Sequence, residues 1–369
     1  MHLTLHVTNQ CNLRCKYCFV ELGPERMTPE VAKAAVRFGM EDKGASGLLF
    51  YGGEPLLERQ LIYDTVAHTQ GIKAKTGHIF YYKMTTNGVL LDEAFLQFAK
   101  EFNLGIGFSH DGPAQDDCRL FPDGRGSADV LKENIPLLLK YQPYAVGMCV
   151  LDPSTVHKAA SIVQFLYGSG FRYITVGMNY CRGAPWTKQH LETLRGEYKK
   201  MARMYLQWTK AEEKFYLSPF DMKILSHLKG EAYNADRRRM AQNQLSVAPD
   251  GKLYSSSRFV GDHNMAIGDV FTGLDTKKQA LLFEKGTPPE ACMQCAIRTR
   301  CNYAYDSISR RGNEIFTDIS PVQCAHEQLI TPIADEVAET LYKQRSALFI
   351  HKHYNELYPI MSLVEDQRV

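Results

Sequence analysis

Seven of the ten cysteines fall into two groups whose spacing suits iron or zinc. The first is Cys11-Asn12-Leu13-Arg14-Cys15-Lys16-Tyr17-Cys18, a CxxxCxxC pattern immediately after the first predicted strand. Three thiolates in one short loop can hold three irons of a 4Fe-4S cube and leave the fourth iron open to a chelating ligand. A zinc knuckle would need a fourth ligand nearby, and the closest candidate, His6, lies in the strand itself. The second group is Cys292-Met293-Gln294-Cys295, then Cys301, then the distant Cys324. Four thiolates suit a fully ligated iron–sulfur cluster or a structural zinc equally on count alone.

Between these groups, short motifs stand at the ends of predicted strands. Gly52-Gly53-Glu54-Pro55 follows the second strand. Glycine there lets the backbone approach a ligand closely, and Glu54 offers an anionic acceptor to an ammonium group. Thr85-Thr86-Asn87-Gly88 ends the third strand and Ser109-His110-Asp111-Gly112 the fourth; each alone is ordinary turn chemistry. In this order, and with Tyr17 just before the last loop cysteine, the segments resemble those of the radical S-adenosylmethionine (SAM) superfamily. The resemblance implies that Cys11, Cys15 and Cys18 carry the SAM-binding cluster. It also implies that Tyr17, Gly52, Gly53, Glu54, Pro55, Thr86, Asn87, Ser109 and Asp111 help to hold SAM. The implied activity is reductive cleavage of SAM to a 5′-deoxyadenosyl radical that abstracts a substrate hydrogen, with an electron donor such as flavodoxin or ferredoxin.

The second half resembles the SPASM domain of radical SAM peptide and protein maturases, on the cysteine group and on the hairpin sequence from Gln244 through Pro249-Asp250-Gly251 to Tyr254. The resemblance implies one auxiliary 4Fe-4S cluster on Cys292, Cys295, Cys301 and Cys324, so two clusters in all. The family's other auxiliary cluster is expected to be absent, because about Arg238, Ser256 and Tyr305 stand where its cysteines would be. Sulfatase-maturating relatives carry an acidic base at the position of Ser257, so sulfatase maturation is not the expected reaction. The implied substrate is a ribosomal precursor peptide, modified by crosslinking, epimerisation or backbone excision. With the cluster loop starting at residue 11, leader recognition is expected from a separate protein or from the barrel and C-terminal region. Two further readings stay open: a small-molecule radical SAM dehydrogenase with one auxiliary cluster, and a non-catalytic zinc-binding module.

These residues need a scaffold, and the periodicity supplies one. Strand-like runs at 3–8, 47–51, 79–85, 105–109, 144–150 and 173–178 alternate with amphipathic helical stretches, about one unit per 30 residues. This is the βαβ pattern of an α/β fold, a partial (β/α)6 TIM-type barrel, whose chemistry belongs at the C-terminal strand ends. The expected domains are the barrel over 1–230, a small Cys-rich SPASM-like domain over 231–330, and a C-terminal helix and tail over 331–369. Strand-end position makes Cys118 and Cys181 candidates for hydrogen donation or transient ligation, and Asn179, Tyr180 and Arg182 candidate substrate contacts. Arg119 and Arg125, in the loop after Asp111, could meet a carboxylate of SAM or substrate. Cys149 alternates within an apolar strand and reads as a small buried hydrophobe.

Composition bounds the partners. The 369 residues are 44% hydrophobic and 23% charged, with a formal charge of +2, which offers no broad basic field for nucleic acid or anionic lipid. The basic run Arg237 to Arg239 reads as a solvated helix face. No signal peptide or membrane span is evident, and ten cysteines without a secretory signal indicate reduced thiolates in the cytoplasm.

Overall fold

Leu3, Leu5 and Val7 alternate with Thr4, His6 and Thr8 along β1 (His2–Thr8), and the first set is buried in the hydrophobic core. Period-two alternation thus turns one face of the strand to the surrounding helices and the other to the opposite side of the sheet. The computed structural model describes residues 1–41, 44–181, 183–237, 244–285, 290–301 and 320–367.

The expected alternation follows in order: α1 (Pro29–Gly39), β2 (Ala45–Gly52), α2 (Arg59–Thr76), β3 (Ile79–Thr86), α3 (Glu93–Glu101), β4 (Leu104–Ser109), α4 (Ala128–Tyr141), β5 (Val146–Leu151), α5 (Ala159–Gly168) and β6 (Tyr173–Met178). Helix starts carry local signals. Thr28 caps α1 through a bond from Val31 N at 3.3 Å, with Pro29 opening the helix, and Asp92 caps α3 through Phe95 N at 2.8 Å. The long helix α6 (Lys188–Lys210) begins at a Thr187 capping box and leads to β7 (Tyr216–Leu217) and α7 (Ser218–Arg237).

Strands β1 to β7 pair in parallel and in sequence order, which puts their C-terminal ends on one rim. The hairpin of β8 (Gln244–Val247) and β9 (Lys252–Tyr254) extends this same sheet. Strand β8 lies parallel to β1, with Leu3 opposite Leu245 and Leu5 opposite Val247. Antiparallel β10 (Ala266–Asp269) and β11 (Gly273–Leu274) complete a mixed sheet of eleven strands among the described residues, followed by α8 (Thr276–Lys285). A boundary near residue 230 therefore divides two stretches of chain that share one sheet.

The C-terminal region differs from expectation. Helix α9 (Pro321–Lys343) starts about ten residues before the expected position, capped by Ser320, and runs through Pro332. Its buried face of Leu329, Ile330, Ile333, Ala334, Val337 and Leu341 packs on α6 and α7, and that burial offsets the hydrogen bond lost at proline. The expected tail forms α10 (Ala347–Tyr354) and α11 (Tyr358–Gln367).

Candidate active site

The loop after β1 is clamped from two sides. From one side, Gly53 N donates to Thr8 O at 2.9 Å and Glu54 N to Gln10 O at 2.8 Å. A Cβ on Gly53 would stand 2.1 Å from Gln10 O, and one on Gly52, at φ 126°, would stand 2.2 Å from Thr8 O. The two glycines therefore let β2 approach the cysteine loop itself, a closer constraint than approach to a ligand. From the other side, the segment expected to be loop forms a single helical turn, Gln115–Cys118, and a short antiparallel ladder that pairs Arg14 with Leu120 and Cys15 with Arg119.

Within this clamp the thiols meet N–H donors. Leu13 N lies 3.4 Å from Cys11 Sγ, Asn87 Nδ2 lies 3.8 Å from it, and an Arg119 Nη stands 3.9 Å from Cys15 Sγ. Cys11 and Cys15 are half-buried and Cys18 is exposed. Burial, with Glu54 and the neighbouring cysteines, pushes the Cys11 thiol up to about 12 despite the Leu13 N–H. A free thiol there stays protonated, and only a bound metal would hold it as thiolate.

Two buried carboxylates organise the rim. Glu54 is fully buried; its Oε1 accepts from Thr86 Oγ1 at 2.7 Å and Leu56 N at 3.0 Å, and its Oε2 from Asn87 N at 2.8 Å. Glu54 thus caps the short turn Pro55–Glu58 and ties the end of β3 to the end of β2. A carboxylate has about four lone-pair sites, so one direction stays open to a further donor. Asn87 continues the tie through its Nδ2 to Asn12 Oδ1 at 2.7 Å. Asp111, also fully buried, accepts from the Tyr17 hydroxyl, from Arg119 Nε at 3.1 Å and from Val150 N at 3.0 Å. Arg119 lies over the Tyr17 ring at 5.3 Å. Asp111, Arg119 and Tyr17 are thus spent on one another beneath the cysteine loop, whereas Ser109 stands half-buried as the last residue of β4.

The second cysteine group gathers beside the first turn of α9. Cys292, Cys295, Cys301 and Cys324 are each half-buried. Burial, then Cys295 and Cys324, raise the Cys292 thiol, and burial, then Cys295, raise that of Cys324. Among the described residues, no group of three or more His, Cys, Asp or Glu side chains is placed to hold a metal ion. A buried ion pair of Lys223 with Glu327 fastens α9 to α7, and a part-buried pair of Arg300 with Asp335, through two bonds of 2.6 and 2.8 Å, ties the cysteine segment to α9. Tyr180, just beyond β6, hydrogen-bonds His326 Nδ1 at 2.6 Å, and Tyr198 takes Nε2 at 2.7 Å. A cavity of about 160 Å³ opens against Tyr180, Tyr198, Lys223 and His326.

The remaining candidates separate. Cys118 is wholly buried, and its carbonyl accepts from Lys16 N at 2.9 Å, so it packs under the cysteine loop. Cys149 is buried as expected, and Cys181 is half-buried at the exit of β6. Asn179 is used by the chain, bonding Asp152 at 2.8 Å and accepting from the Trp186 indole at 2.6 Å. Arg125 pairs with Asp123 in solvent, away from the site. Arg182, Arg238, Arg239 and Tyr305 lie outside the described residues.

Four further residues belong to the site's wall. His6 is 1% exposed and neither ring nitrogen has a partner among the described residues; burial pushes it down to about 3. Its ring meets Tyr51 edge-on at 5.3 Å, Tyr51 stacks on Phe19 at 6.1 Å, and the Arg258 guanidinium covers Phe19 at 4.8 Å. The signal for His6 was present in the alternation of β1, where it shares a face with Thr4 and Thr8 rather than with the core leucines.

A cysteine loop at the C-terminal end of the first strand, braced by the ends of the next strands of a parallel sheet, defines a radical SAM domain, and residues 5–166 match the family model of the Radical SAM superfamily. Residues 5–166 thus carry a radical SAM domain, and the chain is homologous to anaerobic sulfatase-maturating enzymes. It is 23% identical to the serine-type anaerobic sulfatase-maturating enzyme of Klebsiella aerogenes over 309 residues, which cover 79% of this chain and 76% of that protein. The cysteine-type enzyme of Clostridium perfringens is 26% identical over 179 residues, 44% of this chain and 47% of its own. Among solved structures, native anSMEcpe with bound AdoMet superposes with a TM-score of 0.80 at 18% identity, covering 93% of this chain and 99% of that one. Streptococcus suis SuiB bound to precursor peptide SuiA gives a TM-score of 0.63 at 14% identity, covering 88% and 75%. At these identities the structural likeness establishes the fold.

Proposed function

We propose that this enzyme abstracts hydrogen from a residue of a peptide and so modifies the peptide after its synthesis. The observation that carries the reading is the extent of the likeness. The family model ends at residue 166, whereas the fold of anSMEcpe bound to AdoMet and a Cp18Cys peptide covers 93% of the chain at a TM-score of 0.79. The likeness to a structure that holds a peptide thus extends beyond the family model, which supports the reading.

The donors around the first cysteine loop support the expected SAM-binding cluster. In the proposal, Cys11, Cys15 and Cys18 hold a 4Fe-4S cluster, with N–H groups of Leu13, Asn87 and Arg119 placed to donate to thiolate sulfur. Cys292, Cys295, Cys301 and Cys324 hold one auxiliary cluster. When bound, the first cluster and SAM supply a 5′-deoxyadenosyl radical, the electron coming from a donor such as flavodoxin or ferredoxin. The chain's own part is positional. Gly52, Gly53, Glu54 and Pro55 fix the loop and leave one carboxylate direction of Glu54 for the SAM ammonium. Thr86 and Asn87 are held by Glu54, and Tyr17, Asp111 and Arg119 form the buried floor that keeps water from the reacting atoms. Leader recognition by a separate protein or by the barrel and C-terminal region, and a cytoplasmic setting, belong to the proposal. No helix among the described residues is long and apolar enough to cross a membrane.

Ser257 bears on the reaction type. Its hydroxyl bonds Ser246 Oγ at 2.9 Å, so no carboxylate occupies the position from which a base is expected in sulfatase-maturating relatives. Hydrogen abstraction without that base leaves crosslinking, epimerisation or backbone excision as the outcomes to test. Anaerobic incubation with SAM, reductant and serine- or cysteine-containing peptides tests the reading. Peptide-stimulated 5′-deoxyadenosine with a modified peptide by mass spectrometry is expected; stimulation by small molecules alone would contradict it.

A further inference from the structure

Arg258 differs from the other buried or half-buried arginines near the site. Arg119 is matched by Asp111 and Arg300 by Asp335, but among the described residues no carboxylate pairs with the Arg258 guanidinium, which rests on the Phe19 ring at 4.8 Å. Its backbone is fixed by the turn Ser257–Phe259, where Ser256 Oγ accepts from Arg258 N at 3.3 Å. Phe19 follows Cys18 on the cysteine loop and stacks on Tyr51 of β2, so the guanidinium lies against the loop at the C-terminal strand ends. The same wall carries the buried His6, linked to Arg258 through the rings of Tyr51 and Phe19. A guanidinium that rests on an aromatic ring and has no carboxylate partner among the described residues is suited to receive an anion.

We propose that Arg258 receives a carboxylate of the peptide substrate and so selects peptides with an acidic residue beside the reacting one. The inference rests on the peptide reading above. Arginine suits this task because its planar fork binds a carboxylate bidentately, and partial burial strengthens the charge-assisted bonds that result. Phe19 holds the fork in place on the cluster loop, next to where hydrogen abstraction would occur.

The test uses the reconstituted holoenzyme with SAM and two fluorescein-labelled peptide pools built around a central serine or cysteine. The pools differ only in carrying Asp or Asn at the neighbouring positions. Anisotropy is expected to show the Asp pool bound about tenfold or more tightly, as loss of a charge-assisted pair implies. Arg258→Gln should equalise the pools, and Arg258→Glu should favour a third pool carrying Lys, an inversion that misfolding cannot produce. Equal binding of the Asp and Asn pools by the wild type overturns the inference and leaves the peptide reading standing. Loss of SAM affinity in Arg258→Gln with the Asp preference intact would assign the guanidinium to the SAM carboxylate and overturn it as well. If no pool binds the wild type, the peptide reading falls and this inference with it.

Discussion

The carboxylate of Glu54 accepts a hydrogen bond from the Thr86 hydroxyl at 2.7 Å, joining the ends of two neighbouring strands behind the cysteine loop. The same group accepts from Leu56 N and Asn87 N, so three donors converge on one fully buried side chain. In Glu54→Gln an amide NH₂ must face at least one of these donors. A buried donor left without its acceptor costs about 1–3 kcal/mol, which urea denaturation of the apoprotein should register.

The titration of Glu54 has a definite sign. Burial raises it from 4.5 to about 7, against the lowering effect of its hydrogen bonds. Because the folded value lies above the unfolded one, its contribution is complete below pH 4.5 and is lost as pH rises toward 7. Wild type should therefore lose stability relative to Glu54→Gln across that window, measured by denaturant midpoints at successive pH values.

Gly53→Ala should be more disruptive than any surface change. The new Cβ would fall 2.1 Å from Gln10 O, a backbone atom that moves only if the cysteine loop moves. A loss of about 2 kcal/mol or more is expected, together with reduced iron loading at the first cysteine group, read by unfolding curves and iron assay.

Asp221 shows the opposite pH behaviour. Burial pushes its carboxyl up, but Lys352 at 2.7 Å and His353 at 3.4 Å override this and hold it well below its ordinary value. Its stabilisation is present above the unfolded carboxylate value, about 4, and drains away as pH falls below that. Asp221→Asn should cost about 3–5 kcal/mol at neutral pH, because Lys352 is left buried without its partner, and it should flatten the acid limb of the stability profile.

What the sequence disclosed follows the range of the interactions involved. The strand and helix alternation was legible because core burial imposes it residue by residue, and the CxxxCxxC loop was legible because its ligands are local. The ladder of Arg14–Cys15 with Arg119–Leu120 was not, since each side is two residues long and the partners are more than one hundred positions apart. For the same reason Arg119 read as a ligand for an outside carboxylate, although Asp111 already holds it. The start of α9 was missed because Pro332 reads as a helix opening, and only the packing of the helix on α6 and α7 carries it through that proline. Arg258 became visible as a candidate site residue only once the cysteine loop and the hairpin were brought together.

The most direct test is the iron and sulfide content of anaerobically reconstituted protein, followed by incubation with SAM and a strong reductant while 5′-deoxyadenosine is measured. Two 4Fe-4S clusters predict about eight irons per chain, falling to about four with loss of 5′-deoxyadenosine when Cys11, Cys15 and Cys18 are changed to Ala. About four irons with turnover intact would leave the first cluster standing and turn the Cys292 group into a zinc site. Protein that binds no iron and forms no 5′-deoxyadenosine would contradict the account at its centre.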